Sequence, residues 1–502
     1  MNLPRLSTAS CSAIFAATLC LFAQCAKEPS ASTPASAQPT HTPNGAAPVA
    51  AAPAKQDPPV ILGERIHVLV SGSMEGKLEP CGCASGQLGG LPRRMTYVQE
   101  VHGADLLLEG GGLVGGASAL DQEKAFTAVE VLFGMPMRYD ALGISAEDLA
   151  LPLETWGQYL AAYAAPIVAS DLEPLATELK PLPFVEKDVR GTKVRVASLT
   201  MRLPDALAKA EPQPLRLLSP ADGYARGMKD AAESTLRVLM VHADPDRVRA
   251  LVKELSPRPD LVVGITDAVH EPPSQPTMVG DVPVVFPGIR GRFLVDLRFG
   301  RTQGGAAIPH YEPVPLRASE TKPLAGQDPA VREVLRKHRV FVAEEKLREK
   351  MANQKPLEGG LSYVGNARCG ECHAEDYALW QNTKHGRAWD TLARAEKDPA
   401  RYGWPVTQYP DCVSCHVVGY GDASGFVNPE TTEQLANVGC ERCHGAGSAH
   451  SAAPATSRMG KVGGGTPSVV CTQCHDFEQS PDFDYTKRWP IIEHGKQKPK
   501  AR

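Results

Sequence analysis

The 502-residue chain lacks a basic excess, lacks long apolar runs beyond its first residues, and has no cysteine between Cys25 and Cys81 or between Cys83 and Cys369. Lys and Arg number 53 against 57 Asp and Glu, a formal charge of -4, so the cationic surface that nucleic-acid binding requires is missing. No nucleic-acid partner is expected. After the first residues no 18-residue stretch is uninterruptedly apolar, which excludes a helical membrane span there. Residues 28–59 have almost no large apolar side chain and consist mainly of Ala, Pro, Ser and Thr. Such a segment cannot bury enough surface to offset its ordering entropy, and it reads as a tether. The 13 cysteines are placed locally: Cys11, Cys20 and Cys25 near the start, Cys81 and Cys83 in the middle, and eight from Cys369 onward.

The opening MNLPRLSTASCSAIFAATLCLFAQCAKEPS has a basic start at Arg5 and an apolar run over residues 13–23, too short to span a bilayer. It reads as a signal peptide. Residues 21–24 before Cys25, with the Ser/Pro/Ala-rich stretch after it, resemble a bacterial lipoprotein leader, which implies Cys25 as a lipidated first residue and a membrane anchor. The alternative is ordinary cleavage nearby and release.

From Val60 the texture changes. Short β-branched runs at Ile66, Val68 and Val70, and at 106–108, 193–199, 236–241, 261–263, 284–286 and 293–297, predict buried strands. Helical spacing at 122–133, 153–163 and 246–255 alternates with them, so an α/β domain is expected to about Leu316. Residues 328–353, with apolar positions among many charges, predict an amphipathic connecting helix. After Ser362 periodicity fades into Gly, Pro, short helical pieces and cysteines, as expected where cofactors fill the core.

Four pentapeptides there fit CxxCH: CGECH (Cys369, Cys372, His373), CVSCH (Cys412, Cys415, His416), CERCH (Cys440, Cys443, His444) and CTQCH (Cys471, Cys474, His475). Two thiols three positions apart can form thioethers to the vinyl groups of one haem, and the next histidine then meets the iron. With 13 cysteines and 14 histidines in the chain, chance gives on the order of 0.01 such motifs, so four are not accidental. A zinc knuckle needs no histidine after every second cysteine, and redox disulfides do not come as four CxxCH units. Four covalently bound haem c groups are expected, with attachment outside the cytoplasm. Four further histidines, His338, His385, His450 and His494, are candidate distal ligands. Full pairing would favour electron transfer between redox partner proteins, whereas a vacant position would admit substrate.

The segments YVGNARCGECH, WQNTKHGRAWDTL, GCERCHGAGSAH and WPIIEHGK resemble the tetrahaem cytochromes related to the electron acceptor of hydroxylamine oxidation, over residues 361–496. The resemblance implies His385 and His450 as distal ligands, with His494 at the place of a late histidine. No CxxCK variant is present.

Residues 60–316 resemble the metallophosphatase fold of the secreted 5'-nucleotidase type, through VSGSMEGKLEPCGCASGQLGGLPRR, DLLLEGGGLVGG, MRYDALGISAEDLA, LMVHADPDRVRALV and DLVVGITDA. That fold implies two divalent metals, yet Ser73 and Glu75, Gly112, Ala146 and Glu147, and Thr266 stand where its ligands belong, and only His242 matches. No phosphoesterase activity is expected. Glu75, Glu109, Glu147 and Asp267 either gather around His242 as a repurposed site or are ordinary positions of a retained scaffold. Cys81 and Cys83 flank one glycine; a disulfide there would be strained, leaving free thiols near a pocket, a redox-switched bond, thiolate capture of a sulfur or metalloid species, or two structural cysteines. The stretch GQLGGLPRR can cradle an anion with Arg93 and Arg94.

The expected organisation is multidomain: signal peptide 1–25, linker 26–59, an α/β metallophosphatase-like sandwich over 60–316, a connecting helix over 317–360, and a mostly helical, loop-rich tetrahaem cytochrome c domain over 361–502. The expected setting is the periplasm or cell surface, with lipid anchoring through Cys25. The expected role is electron transfer; the alternative is an oxidoreductase acting on a small nitrogen or sulfur species at an open haem or at Cys81 and Cys83.

Overall fold

A computed structural model describes residues 61–80, 86–101, 103–317, 327–398, 402–459 and 462–494. The leader, the tether, Cys25, Cys81 and Cys83 lie outside the described residues. Residues 58–502 form one compact unit.

Two six-stranded sheets and a two-stranded one, β5 (Leu172–Pro174) with β8 (Leu215–Leu217), carry its first part. The first runs, edge to edge, as β14 (Gly305–Pro315), β13 (Phe293–Thr302), β1 (Ile66–Ser71), β2 (Leu106–Glu109), β3 (Ala141–Gly143) and β4 (Ile167–Val168). The second runs as β11 (Thr277–Val279), β12 (Val282–Val285), β10 (Leu261–Ile265), β9 (Leu236–His242), β7 (Thr192–Leu199) and β6 (Val185–Val189). Strands β1 to β4 pair in parallel, as do β7, β9, β10 and β12. Parallel central strands are covered on both faces, which is why they read as continuous apolar runs.

The sheets face each other through a shared core in which Ile66, Val68 and Val70 meet Val194, Val196, Val238, Met240, Leu261 and Val263. Outside the first sheet lie α1 (Leu91–Glu100), α2 (Ala119–Gly134) and α3 (Leu153–Ala162). Outside the second lie α4 (Pro220–Gly227) and α5 (Pro245–Glu254), through Tyr224, Val248, Leu251 and Val252. The result is a layered α/β sandwich.

The connecting segment forms two helices, α6 (Pro329–Glu344) and α7 (Leu347–Met351), where one was expected. Lys346, at φ 53°, breaks the run in a left-handed turn. Val331 and Leu335 of α6 belong to the sandwich core, whereas Val342 and Leu347 pack with Leu392, Trp404, Val406 and Tyr409 of the cysteine-rich part. The helix pair is thus common to both. The remainder is a series of short helices, and among the described residues no helix is long and apolar enough to cross a membrane.

Candidate functional site: a histidine and cysteine array beside a closed sheet edge

Each CxxCH unit sits on or at the end of a short helix, which puts its two thiols and its imidazole on adjoining turns. Pro410–His416 and Cys440–His444 are helical throughout, and in the first and last motifs the backbone N–H of His373 and of His475 donates to the first cysteine of its motif. None of the eight thiols is in a disulfide. Cys369 lies within hydrogen-bonding reach of Cys440, and Cys415 of Cys474, so the first motif neighbours the third and the second neighbours the fourth. Side chains fasten the first couple: Asn366 Oδ1 accepts from the backbone N–H of Cys440 at 2.9 Å, and buried Glu441 accepts from Val364, Gly365 and Gly447.

Among the described residues three imidazole pairs are formed between distant parts of the chain. His373 faces His450 with ring centroids 6.2 Å apart, His385 faces His475 at 6.2 Å, and His444 faces His494 at 5.8 Å. Each pair joins one CxxCH histidine to one histidine outside the motifs. A metal with imidazole bonds of about 2 Å on both sides separates the ring centroids by roughly 6 Å, so these pairs fit an iron between them. Nδ1 of His416 faces Ala388 O at 2.7 Å, that of His450 faces Ser457 O at 2.6 Å, and that of His494 faces Ile492 O at 2.9 Å. A carbonyl acceptor fixes the proton on Nδ1 and leaves Nε2 as the lone-pair nitrogen a metal needs. Burial pushes the pKa of His385, His416, His444 and His475 down, because it disfavours the charged ring. No second ring stands against His416 among the ring pairs of the described residues.

His338 is corrected to a core residue. It is 1% exposed, with Nδ1 at 2.9 Å from Thr127 Oγ1 and Nε2 at 3.1 Å from Tyr409 Oη, so both nitrogens are engaged.

Residues 368–445 match the family of cytochrome c554 and c-prime. The matched span takes in the first three motifs and His385, and it implies covalently bound haem c. Cytochrome c-554 of Nitrosomonas europaea is 34% identical over 100 residues, which is 18% of this chain and 41% of that protein. The chain therefore spans less than half the length of this relative. Among solved structures, the 5'-nucleotidase precursor of Thermus thermophilus is 17% identical with a TM-score of 0.45, covering 58% of this chain and 61% of its own. The sulfate thiohydrolase SoxB of the same organism is 15% identical with a TM-score of 0.43, covering 54% and 60%.

At the carboxyl ends of the parallel strands the acidic residues named from the sequence are dispersed among separate partners. Glu109 is fully buried and accepts from Arg94 Nη1 and Ser71 Oγ, both at 2.7 Å. Glu75 pairs with Arg290 at 3.3 Å, and Glu147 pairs with Arg202. Asp267 is exposed. Glu147 lies close enough to His242 to act on its charge, and Asp267 close enough to act on Glu75, but among the described residues no group of three or more His, Cys, Asp or Glu is placed to hold a metal ion. The anion cradle is overturned. Arg93 Nη1 donates to the carbonyls of Gln87, Gly89 and Leu316, and Arg94 is committed to Glu109.

The Gly110–Gly112 turn shows why no side chain fits there: a Cβ on Gly110 would lie 2.1 Å from Ile265 Cδ1, and Gly112 has φ +70° with Ser73 Cα 3.1 Å from its Cβ position. Asp148, which sequence reasoning missed, closes the turn by accepting from the backbone N–H groups of Gly112, Leu113, Val114 and Ser145.

His242 is partly exposed, but its Nε2 is sealed from solvent without a hydrogen-bond partner. Burial pushes its pKa from 6.5 down to about 4. The unfolded chain takes up a proton below the ordinary value while the folded chain stays neutral. Stability therefore falls as pH drops from 6.5 to about 4, by on the order of 3 kcal/mol. Urea midpoints of the native chain and His242→Asn, at neutral pH and about pH 4.5, should diverge in slope with pH; equal slopes would refute this.

Proposed function

We propose that the chain is an extracytoplasmic tetrahaem c-type cytochrome that transfers electrons between redox partner proteins. The observation that carries this is the set of three cross-chain imidazole pairs, each with one CxxCH histidine. Bound haem c supplies a one-electron couple whose potential is set by its axial ligands and surroundings. The chain's part is to hold it: Cys369, Cys372, Cys412, Cys415, Cys440, Cys443, Cys471 and Cys474 by thioethers, and His373, His416, His444 and His475 as proximal ligands. His450, His385 and His494 serve as distal ligands opposite His373, His475 and His444 respectively. Carbonyl acceptors at Nδ1 orient the rings of His416, His450 and His494. The leader and Cys25 support export to the periplasm or cell surface with a lipid anchor. The α/β sandwich serves as a docking and supporting body, with Glu75, Glu109 and Glu147 each paired with an arginine.

His416, which has no ring opposite among the described residues, favours a second reading in which that position binds a small nitrogen or sulfur species and the chain acts as an oxidoreductase. One experiment separates the two. Pyridine haemochrome counting with electron paramagnetic resonance of the oxidised protein should give four haems, three low-spin and one high-spin. On the second reading the high-spin signal shifts with nitrite, hydroxylamine or sulfite; a high-spin signal that none of them moves leaves electron transfer alone. Four low-spin signals would end the second reading; fewer than four haems would end the tetrahaem one.

A further inference from the structure

The loop that follows the fourth motif is held over the carboxyl ends of the sandwich strands by a group of contacts centred on Arg290. Arg290 comes after β12, and its backbone N–H donates to the carbonyl of Ser73 in the turn after β1 at 2.5 Å. Its guanidinium reaches Glu75 Oε2 at 3.3 Å on the sandwich side, and Asp476 Oδ2 at 3.1 Å and Glu478 Oε2 at 2.7 Å on the motif side. Phe477 lies against the guanidinium groups of Arg290 and Arg292, at 5.0 and 4.9 Å from its ring centre, and stacks on His270 at 5.5 Å. Gln87 Nε2 donates to Glu478 O at 3.0 Å.

This loop determines how His475 is presented. Asp476 Oδ1 accepts from the backbone N–H groups of Glu478 and Gln479, and the N–H of Ser480 donates to Asp476 O. Ser480 Oγ then sits 3.0 Å from His475 Nδ1, and Phe483 stacks on the same ring at 4.6 Å. A continuous chain of contacts runs from Glu75 through Arg290 and Asp476 to the imidazole of His475.

We propose that Arg290 is a positioning residue for the fourth haem site: from the sandwich it fixes the 476–480 turn and the orientation of His475, and its charge sets the potential of that site. The proposal rests on the tetrahaem reading above and goes beyond it by giving the sandwich an electrochemical role. Removing the guanidinium leaves Asp476, Glu478 and Glu75 without their shared cation. The added electron of the reduced state is then disfavoured, and the potential falls.

The test uses the full haem-loaded chain and a redox titration followed by optical and paramagnetic resonance spectra. His385→Ala identifies the signal of the fourth site, because His385 faces His475. In Arg290→Gln the equilibrium constant for reducing that site should fall about tenfold, equivalent to about 59 mV for one electron. The other three sites should stay in place, and Arg290→Lys, which keeps the charge, should recover most of the shift. A fully loaded Arg290→Gln with four unmoved potentials, or with all four moved equally, overturns the proposal. Should Arg290→Gln fail to load, Glu75→Gln perturbs the clamp from the sandwich side alone: a shift confined to the fourth site supports the proposal, and no shift overturns it. A native protein with no haem at Cys471 and Cys474 would sink the parent reading and this one, and haem counting shows that before any variant is titrated.

Discussion

Replacing His450 or His385 by alanine is expected to leave the haem count at four while converting one low-spin signal to high-spin. The cysteines and the proximal histidine of each motif stay intact, so attachment is unaffected. The imidazole opposite His373 or His475 is lost, and a five-coordinate iron with one histidine is high-spin. Low-spin signals should drop from three to two in either variant, and the double variant should leave one, because the pairs use different motifs. His338→Ala is the contrast. It leaves the spectra alone and instead destabilises the chain by about 1–3 kcal/mol, since Thr127 and Tyr409 lose a buried partner and a cavity opens between α2 and α6. Spectra of His385→Ala and His450→Ala identical to those of the native protein would mean that the ring pairs are side-chain packing and not ligation.

How far this site was legible beforehand depends on the range of the interactions. CxxCH is a local device: the two thioethers and the proximal nitrogen come from one helical turn, so the spacing alone discloses them. The imidazole that faces each motif histidine is chosen by the fold. His373 meets His450 and His385 meets His475 across long stretches of chain, and no periodicity predicts such a meeting. His338 shows the converse, since as a residue type it matches the others and only its buried hydroxyl partners reveal a core role. The clamp at Arg290 was not legible for the same reason, being a single arginine whose partners are distant in sequence.

In the sandwich, strands such as β1, β7, β9 and β10 are long, β-branched and buried on both faces, so pattern exposes them. Strands β3 and β4 have only three and two residues, too few to show a period. Strand β14 carries Pro309 and Pro313 and is an intermediate-burial edge, where proline is tolerated because one side needs no ladder donor. Helix α1 begins with Leu91 and Pro92 directly after a glycine pair, and that Gly-rich approach pointed to an anion loop. The structure uses the two glycines for close backbone contact and uses the arginines inside the protein.

The buried pair of Arg94 and Glu109 should give the largest stability effect in the sandwich. Arg94 is 1% and Glu109 0% exposed, and Ser71 joins Glu109 to Tyr139 Oη at 3.1 Å, so the pair forms a small polar core beneath the turns at Ser73 and Gly110–Gly112. Removing one partner leaves the other as an uncompensated charge away from water. Arg94→Met or Glu109→Ala alone should therefore cost about 3–5 kcal/mol. Replacing both by apolar residues of similar volume should cost clearly less than the sum of the single changes, because the desolvation of two charges disappears along with their attraction. Urea unfolding of the full chain followed by circular dichroism measures all three variants on one scale. Single changes each costing under about 1 kcal/mol would show that water reaches the pair and that its charges are screened. The pair also bears on what the sheet edge can do. A carboxylate at the end of β2 is where a cation would be drawn in, and here Arg94 supplies the positive charge from within the chain. Guanidinium groups also meet carboxylates at Glu75 with Arg290 and at Glu147 with Arg202. Each of these carboxylates carries its counter-charge from within the chain, and Arg290 extends that pairing to Asp476 and Glu478 in the loop after His475.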